Sequence, residues 1–445
     1  GDQLWMDPGE PAAAEHTLAV MREGRSFVAL NTQSSFPLTM GAYSAILGFF
    51  IPSGGGKWLL EAPYVMQAAN ELQVHLGWAL MVYNAAEALP NLINPFWMLL
   101  LMRLLGREYY VWDQSGAIDF LKPGRGTVSA RFDIDDVFLG NGVSELITMT
   151  LQALLDNGDQ VLIPAPDYPL WTASTSLAGG TPVHYRCDEE NGWNPDLADI
   201  ESKITENTHA LVVINPNNPT GAVYSEETVR GLVDIARRHD LVLMADEIYE
   251  KIVFDDAVHH HTAKAAGDDV LCLTFSGLSK AYRVCGYRAG WVVVTGPKER
   301  ASDFLEGLTL LANMRMCANV PGQHAIQTAL GGYQSIDELI VPGGRFHDQI
   351  QLASRLLNEI PGVSCVPPRG ALYCFPRLDP EVYPIEDDEA FVIELLREKK
   401  ILVTHGRGFN WFEPDHFRLV TLPDADVLTE AIGRIADFLQ VRRGS

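Results

Sequence analysis

The chain after Arg131 alternates short apolar runs with longer amphipathic stretches, and this alternation constrains the fold more than any other feature. The apolar runs are typical of buried strands and cover residues 160–163, 210–214, 241–245, 271–275 and 290–295. Amphipathic stretches such as 145–155 and 226–238 lie between them, and the turn sequence 156–159 follows the first stretch. Repeated βαβ units of this kind predict an α/β fold, with a mostly parallel sheet and helices on both faces.

The end of the chain has a different pattern. Helical stretches at 346–359, 389–399 and 427–441 are mixed with short strands near 371–375 and 417–421. This mixture predicts a smaller α+β domain at the C-terminus. We therefore expect three parts, which are an atypical N-terminal region at 1–130, a large domain at 131–330 and a small domain at 331–445.

Residues 26–102 are poor in charge, and the only charged side chains in this segment are Lys57, Glu61, Glu71 and Glu87. Its apolar runs, 42–51 and 96–102, are shorter than the roughly 20 residues that span a bilayer. The segment is either a piece of a membrane transporter with broken helices or an apolar region packed on a soluble domain. The composition favours the second interpretation.

Charge and cysteine content exclude several classes of function. The 57 acidic residues outnumber the 33 basic ones, and the formal net charge of -24 argues against nucleic acid or an anionic membrane as partner. The six cysteines lack the spacing of a disulfide framework or a zinc site, so we expect a reducing, cytoplasmic setting and no metal. His259, His260 and His261 follow an acidic stretch, and we interpret them as a solvated loop.

Polar segments follow three of the predicted strands. They are 215–221 (Asn-Pro-Asn-Asn-Pro-Thr-Gly), 246–249 (Asp-Glu-Ile-Tyr) and 276–280 (Ser-Gly-Leu-Ser-Lys). Ligands of open parallel sheets bind beyond the carboxyl ends of the strands, and a buried acid or lysine there is costly unless it pairs or functions. A fourth segment, 140–145 (Gly-Asn-Gly-Val-Ser-Glu), is a glycine loop that opens a helix, a setting that suits a phosphate group.

Together the four segments predict a site for pyridoxal 5'-phosphate. A lysine amine can form a Schiff base with the cofactor aldehyde, and an acid beside the pyridine nitrogen keeps the ring protonated as an electron sink. In these segments, and in Ser-Lys-Ala-Tyr-Arg-Val-Cys-Gly-Tyr-Arg-Ala-Gly-Trp at 279–291, the sequence resembles the class I/II aminotransferases of fold type I. It is most similar to the bacterial alanine aminotransferase subgroup, from Arg131 to about Leu439.

The resemblance implies a role for each residue around the cofactor ring. Lys280 would form the Schiff base and then move the proton between the substrate Cα and the cofactor, while Asp246 would pair with the pyridinium nitrogen. Asn218 and Tyr249 would hydrogen-bond the phenolic oxygen of the cofactor, and Tyr168 would stack on the pyridine ring.

The resemblance also implies which residues hold the phosphate and the substrate. The phosphate would contact one side chain and three backbone amides, those of Arg288, Gly142, Val143 and Ser144. Ser276 and Ser279 match the phosphate ligands less well, because Gly277 stands where other branches have a serine. Arg418 would clamp the substrate α-carboxylate in a bidentate contact that lysine makes poorly, and Asn218 would assist it.

Residues 27–106 carry a second resemblance, to the short-chain fatty acid transporter family. The motifs are Phe-Ile-Pro-Ser-Gly-Gly-Gly-Lys-Trp at 50–58 and Asn-Leu-Ile-Asn-Pro-Phe-Trp at 91–97. The N-terminal arm, the loop over the substrate and the partner-reaching tyrosine of the aminotransferases are not recognisable before Arg131. Tyr109 or Tyr110 would be poor substitutes for that tyrosine, so the chain looks like a transporter fragment fused to an aminotransferase body.

By resemblance, the reaction would be a ping-pong exchange between L-alanine and 2-oxoglutarate, which gives pyruvate and L-glutamate. A homodimer is expected, because the family builds each site from two subunits. Two alternatives stay open. One is a catalytically impaired fusion protein that binds pyridoxal phosphate, and the other is a membrane-associated fragment for short-chain fatty acid transport.

Overall fold

The computed structural model describes residues 132–443 and a few isolated residues before them. The isolated residues are Thr32, Ser35, Phe36, Thr39, Ala68, Ala69, Glu71, Leu72 and Gln73. Most of the transporter-like segment lies outside the described residues, as do Tyr109 and Tyr110. The chain divides into two compact units, Gly1–Val111 and Trp112–Ser445, and the sheets and helices described below belong to the second.

An eight-stranded sheet forms the centre of this unit, with the strand order β1-β8-β7-β6-β5-β2-β3-β4. The strands are β1 Val137–Asn141, β2 Gln160–Ala165, β3 Thr181–Asp188, β4 Asn194–Pro195, β5 Thr208–Ile214, β6 Val242–Asp246, β7 Cys272–Gly277 and β8 Ala289–Thr295. The pairs from β3 through β2, β5 and β6 to β7 are parallel. β8 runs antiparallel to both β1 and β7, and β4 runs antiparallel to β3. The expected α/β class and mostly parallel sheet are thus confirmed.

Side chains of each central strand alternate between two apolar cores, one on each face of the sheet. In β5, Leu211 and Val213 join one core, whereas Ala210, Val212 and Ile214 join the other. This period of two follows from the pleat of a strand that is covered on both faces. Helices supply both covers, as predicted.

The helices around the large sheet are Val143–Leu154, Leu170–Leu177, Leu197–Ser202, Glu226–His239, Thr262–Ala266, Ser302–Met314 and Val320–Gly331. Short 3-10 turns lie at Ile134–Asp136, Cys285–Tyr287, Lys298–Ala301 and Gly406–Phe409. The helix Glu226–His239 shows why such segments begin and end where they do. Ser225 caps it by accepting a hydrogen bond from the amide of Thr228, and Asp240 ends it in the left-handed conformation. Acidic residues in its first turn and basic residues in its last complement the helix dipole.

The C-terminal part supplies most of a third core, which Tyr249, Ile252, Phe254 and Ala281 complete. The helices Arg345–Asn358, Asp388–Lys399 and Ala425–Arg442 pack around it. A three-stranded sheet has the order β10-β13-β12, and a two-stranded one joins β11 to β9. These strands are β9 Val363–Ser364, β10 Tyr373–Cys374, β11 Arg377–Leu378, β12 Thr404–His405 and β13 Phe417–Val420. The mixture is the one expected for an α+β domain, and the boundary at 331 stays a prediction.

In the part of the chain that the structure describes, every helix falls short of the length or apolarity that crossing a bilayer requires.

Candidate active site

A cavity of about 310 Å³ opens at the carboxyl edge of the large sheet. Most of the residues that the sequence predicts as site residues line it, namely Val143, Ser144, Tyr168, Asn218, Asp246, Tyr249, Ser279, Lys280, Arg288 and Arg418. The register explains why they meet. Ile214 is paired with Asp246, and Asp246 with Phe275, so β5 and β6 end at the same level and β7 continues two residues beyond them.

Two predicted residues are not among those that line the cavity. Gly142 lies next to the guanidinium of Arg288, and a Cβ on Gly142 would come within 2.2 Å of the Nη2 atom. Ser276 is buried inside β7, opposite Trp291 on β8. Gly142 therefore still borders the site through its contact with Arg288, whereas Ser276 is buried within the sheet and does not reach the cavity.

Asp246 is the last residue of β6 and is only 4% exposed. Its Oδ2 accepts a hydrogen bond of 3.2 Å from the indole Nε1 of Trp171, and its Oδ1 accepts one of 3.4 Å from the amide of Ile248. Burial raises its pKa to about 6, against the lowering effect of these bonds and of Lys280. Among the described residues, no cation lies within ion-pair distance, so the cavity offers a buried acid to a ligand cation.

Lys280 follows β7 in a turn and extends its amine into the same cavity. Its Nζ lies 5.4 Å from the centre of the Tyr249 ring, and no carboxylate of the described residues pairs with it. The hydroxyl of Tyr249 is 2.5 Å from that of Tyr373. Burial raises the pKa of Tyr249 well above its usual value, so this phenol keeps its proton and can donate it.

Arg418 enters from β13 and faces the opposite wall of the cavity. Its guanidinium lies between the rings of Tyr373 and Phe409, 4.6 and 4.5 Å from their centres. Its Nη1 donates a 3.0 Å hydrogen bond to Oδ1 of Asn218, and its buried Nε has no partner. Since no acid among the described residues pairs with Arg418, an anionic ligand would satisfy a donor that the protein leaves open.

The glycine loop and Arg288 form a second basic corner. Arg288 adopts the left-handed conformation (φ 47°) and donates 3.0 Å hydrogen bonds to the carbonyls of Cys285 and Asn141. These bonds hold the guanidinium beside the first turn of the helix Val143–Leu154. Gly142 also has a positive φ, 83°, and a side chain there would strike the guanidinium. A helix N-terminus and a fixed arginine together suit a phosphate group.

Tyr168 lies on a loop that a buried acid anchors. Asp167 is fully buried, and its Oδ1 accepts a 2.6 Å hydrogen bond from Nδ2 of Asn410. Its Oδ2 accepts one of 3.1 Å from Thr172. Burial raises the pKa of Asp167 to about 7 despite these bonds. Tyr168 is therefore fixed at its backbone, although its ring is 38% exposed.

Sequence reasoning missed two residues of this site. Tyr373 lines the cavity and contacts both Tyr249 and Arg418, and Trp171 holds Asp246. Trp171 could have been found, because it follows Tyr168 by three residues at the start of a helix. Tyr373 had no comparable signal, since it stands among apolar residues of a short strand.

The interpretation of the three histidines as a solvated loop is wrong for His259. Its side chain is 5% exposed and lies 3.1 Å from Oε2 of Glu247, a fully buried carboxylate. Nδ1 of His261 donates a 2.8 Å hydrogen bond to the same oxygen. Burial opposes the ionisation of Glu247, but the two imidazoles outweigh it and lower its pKa well below the usual value. The loop is thus drawn inward by a buried charge.

Comparisons with known proteins agree with the geometry of the cavity. The family model "Aminotransferase class I and II" matches residues 117–435, which begins somewhat before Arg131. The model "Short chain fatty acid transporter" matches residues 5–110, a wider range than 27–106. Both resemblances inferred from the sequence are therefore confirmed.

Similar proteins and structures carry related names. An "Alanine aminotransferase" of Mycobacterium tuberculosis is 71% identical over 309 residues, 69% of this chain and 72% of that protein. The "Glutamate-pyruvate aminotransferase AlaA" of Escherichia coli is 57% identical over 306 residues, 69% of this chain and 75% of its own length. A crystal structure of an Escherichia coli aminotransferase superposes with a TM-score of 0.72 at 53% identity, covering 75% of this chain and 81% of that one. An alanine aminotransferase of Pyrococcus furiosus gives 0.70 at 35% identity, covering 74% and 82%.

Proposed function

Because the chain belongs to the class I and II aminotransferases, which depend on pyridoxal 5'-phosphate, we propose that it exchanges an amino group between L-alanine and 2-oxoglutarate. The products are pyruvate and L-glutamate, and the two half-reactions alternate in a ping-pong mechanism. The names of the relatives from Mycobacterium tuberculosis and Escherichia coli support this choice of substrates.

The side chains of the cavity fit this cofactor. Asp246 is a buried acid without a cation, Arg288 is an arginine held by carbonyls alone, and Arg418 has a buried Nε without a partner. These groups correspond to a pyridine nitrogen, a phosphate and a carboxylate. Bound pyridoxal phosphate supplies an aldehyde carbon that takes up the amino group and a ring that accepts electrons from the Cα–H bond.

Asp246 would keep a proton on the pyridine nitrogen. With a pKa near 6 in its buried setting, it gains most from a cationic partner, and the bond from Trp171 holds its second oxygen in place. Asn218 and Tyr249 would donate hydrogen bonds to the phenolic oxygen. Since Oδ1 of Asn218 already accepts from Arg418, its Nδ2 is the donor that is left.

Lys280 would carry the reacting proton. Its amine lines the cavity and has no carboxylate partner among the described residues, so it is placed to take a proton from the substrate Cα and return it nearby. Tyr249 lies beside it and limits its positions. Arg418 would bind the α-carboxylate of either substrate. Its position between two rings keeps the guanidinium away from acidic side chains at the surface.

The observation that carries this proposal is the convergence of Lys280, Asp246 and Arg418 on one cavity. Its test is the visible absorbance of the purified protein with added pyridoxal phosphate. Wild-type protein should develop a visible absorbance band from the bound cofactor, and this band should disappear when L-alanine is added. Lys280→Ala should show neither change. A band that forms but does not bleach would favour the catalytically impaired alternative, and no band in wild type would overturn the proposal.

Specificity for alanine needs a separate measurement. We expect kcat/KM with L-alanine to exceed that with L-aspartate or L-tyrosine by at least about tenfold, which corresponds to roughly 1.4 kcal/mol. Equal values for all three donors would contradict the substrate assignment while leaving the transaminase class intact.

We further propose a cytoplasmic homodimer with the three-part division given above. Exposed apolar side chains support the dimer, since Tyr287, Leu310 and Met314 lie uncovered along the loop after Lys280 and the helix Ser302–Met314. The six cysteines are free thiols, which suits a reducing compartment. Sedimentation of the full chain tests the dimer, and a monomer at micromolar concentration would contradict it.

A further inference from the structure

Two carboxylates and two imidazoles lie close together next to the turn that follows β6, the strand that ends at Asp246. They belong to Glu247, Glu250, His259 and His261, and one nitrogen or oxygen atom from each lies within 4.8 Å of all the others. The ligands of a tetrahedral zinc ion lie about 2.0–2.2 Å from the metal and hence about 3.3–3.6 Å from one another. Small side-chain rotations would therefore bring all four atoms onto one ion.

Two of the four side chains, His259 and Glu250, lack good hydrogen-bond partners in the described part of the chain, whereas the oxygens of Glu247 accept from the amide of Thr262 and from His261. The side chain of His259 is 95% buried, since its exposed fraction is 5%. Its Nδ1 has no partner among the described residues, and its Nε2 has a 3.1 Å contact with Glu247 that lacks hydrogen-bond geometry. Its Nε2 points to the cluster, because it lies 3.1 Å from Oε2 of Glu247. A buried imidazole nitrogen without a well-formed hydrogen bond is costly, and a metal ion bound at Nε2 would reduce that cost.

Glu250 is in a similar position. Its side chain is 6% exposed, and its nearest charged neighbour is His261, whose Nδ1 is 3.8 Å from Oε2. Within the described residues its carboxylate makes no hydrogen bond. His261 also lies 2.8 Å from Glu247, so the two imidazoles crowd one carboxylate while the other has no close partner.

We propose that Glu247, Glu250, His259 and His261 bind one Zn²⁺ ion. Nitrogen and oxygen ligands in a four-coordinate set suit zinc, and two carboxylates balance its charge with neutral imidazoles. The sequence conceals this site because the ligands come from a Glu-x-x-Glu turn and a His-x-His loop, without cysteines.

The zinc site is separate from the cavity that would bind pyridoxal phosphate. Asp246 and Tyr249 line that cavity, whereas their neighbours Glu247 and Glu250 do not. With four protein ligands and no open position, the zinc ion is structural. It ties the turn after β6 to residues 259–261 and so stiffens the backbone from which Asp246 and Tyr249 extend. The proposal does not depend on transaminase activity.

The test uses the full chain after treatment with a chelator and desalting. ZnCl₂ is titrated by calorimetry, bound zinc is counted by elemental analysis, and Tm is recorded with zinc and with chelator. We expect one zinc per chain and a higher Tm with zinc. Wild type without stoichiometric zinc, or with an unchanged Tm, would overturn the proposal without any variant.

Matched variants locate the ion. His259→Gln and Glu250→Gln should weaken zinc binding by roughly 100-fold or more, because each removes a ligand. His260→Gln is the control, since His260 lies between the two ligand histidines but is not part of the cluster. Loss of zinc binding in His260→Gln to the same extent would point to a surface histidine site and overturn the assignment.

Discussion

The phenolic oxygens of Tyr249 and Tyr373 lie 2.5 Å apart, although 124 positions separate the two residues in the chain. Tyr249 follows β6 of the large sheet, and Tyr373 lies in β10 of the C-terminal part. Their rings meet edge to face, with centres 5.8 Å apart. This hydrogen bond joins the two residues in one wall of the cavity. It uses one of the two phenol protons, so only the other can be donated to a ligand.

Tyr373→Phe should weaken the hold of Tyr249 on the cofactor. If Tyr249 donates to the cofactor oxygen, Tyr373 must donate to Tyr249, and removing that donor costs about 0.5–1.5 kcal/mol. We expect kcat/KM to fall roughly 2- to 12-fold. The pH at which the visible absorbance of the bound cofactor is half changed should rise by up to about 1 unit. Tyr383→Phe is the control, because its hydroxyl donates to Pro361 elsewhere. An unmoved midpoint in Tyr373→Phe would contradict this role.

Arg418→Lys should impair substrate binding while leaving the cofactor bound. Lysine cannot form a bidentate contact, and it would lose the bond to Asn218 and the position between two rings. We expect kcat/KM to fall about 30- to 1000-fold, or roughly 2–4 kcal/mol, with the visible absorbance retained. Arg369→Lys, whose exposed side chain pairs with Asp256, should change neither quantity. Retained activity in Arg418→Lys would place carboxylate binding elsewhere.

Gly142→Ala should lower affinity for pyridoxal phosphate. The new Cβ would come within 2.2 Å of Nη2 of Arg288, and its φ of 83° is strained for alanine. Gly158→Ala separates these effects, because Gly158 has a φ of 99° but no atom within 4 Å of the new Cβ. Both variants should lose about 1 kcal/mol of stability, and Gly142→Ala alone should raise the Kd of the cofactor. A similar Kd in both variants would exclude Arg288 as the cause.

Asp167→Asn should stabilise the protein at high pH. Burial raises the pKa of Asp167 from 3.8 to about 7, so protonation favours the folded state. That contribution is complete below about pH 4 and is lost as the pH rises through 7. We expect urea unfolding above pH 8 to show the variant more stable by up to about 4 kcal/mol, with little difference near pH 4.

The exposed Asp426 provides the control for this pH dependence. Asp426→Asn should follow the wild-type dependence of the unfolding free energy on pH. A constant difference between Asp167→Asn and wild type at all pH values would show that the buried carboxylate is not the source.

The sequence allowed most residues that line the cavity to be identified, because they lie in short motifs at strand ends. Asp246, Lys280 and Asn218 each follow a short apolar run that predicts a buried strand. Such signals are local, and parallel strands then bring them to one edge. The predicted strand 241–245 ends one residue too early, since Asp246 is the last residue of β6 itself.

Features that depend on distant partners were not predictable. The inward position of His259 depends on Glu247, and the contact of Tyr373 depends on β10 pairing with β13. The strand Thr181–Asp188 was also missed, although Tyr185 and Cys187 alternate in it as buried residues. Its exposed positions are polar, so the strand lacks the continuous apolar run from which the other strands were predicted.

The reversed direction of β8 restricts how this site can vary in length. Since β8 runs against β7, the chain leaves the cavity edge at Lys280 and is back there at Arg288, directly before the strand begins. A parallel strand would start at the far edge and need a long crossover. Any residue inserted or deleted between Lys280 and Arg288 would shift one of them relative to the other, so natural or engineered diversity should alter side chains here and leave the spacing intact.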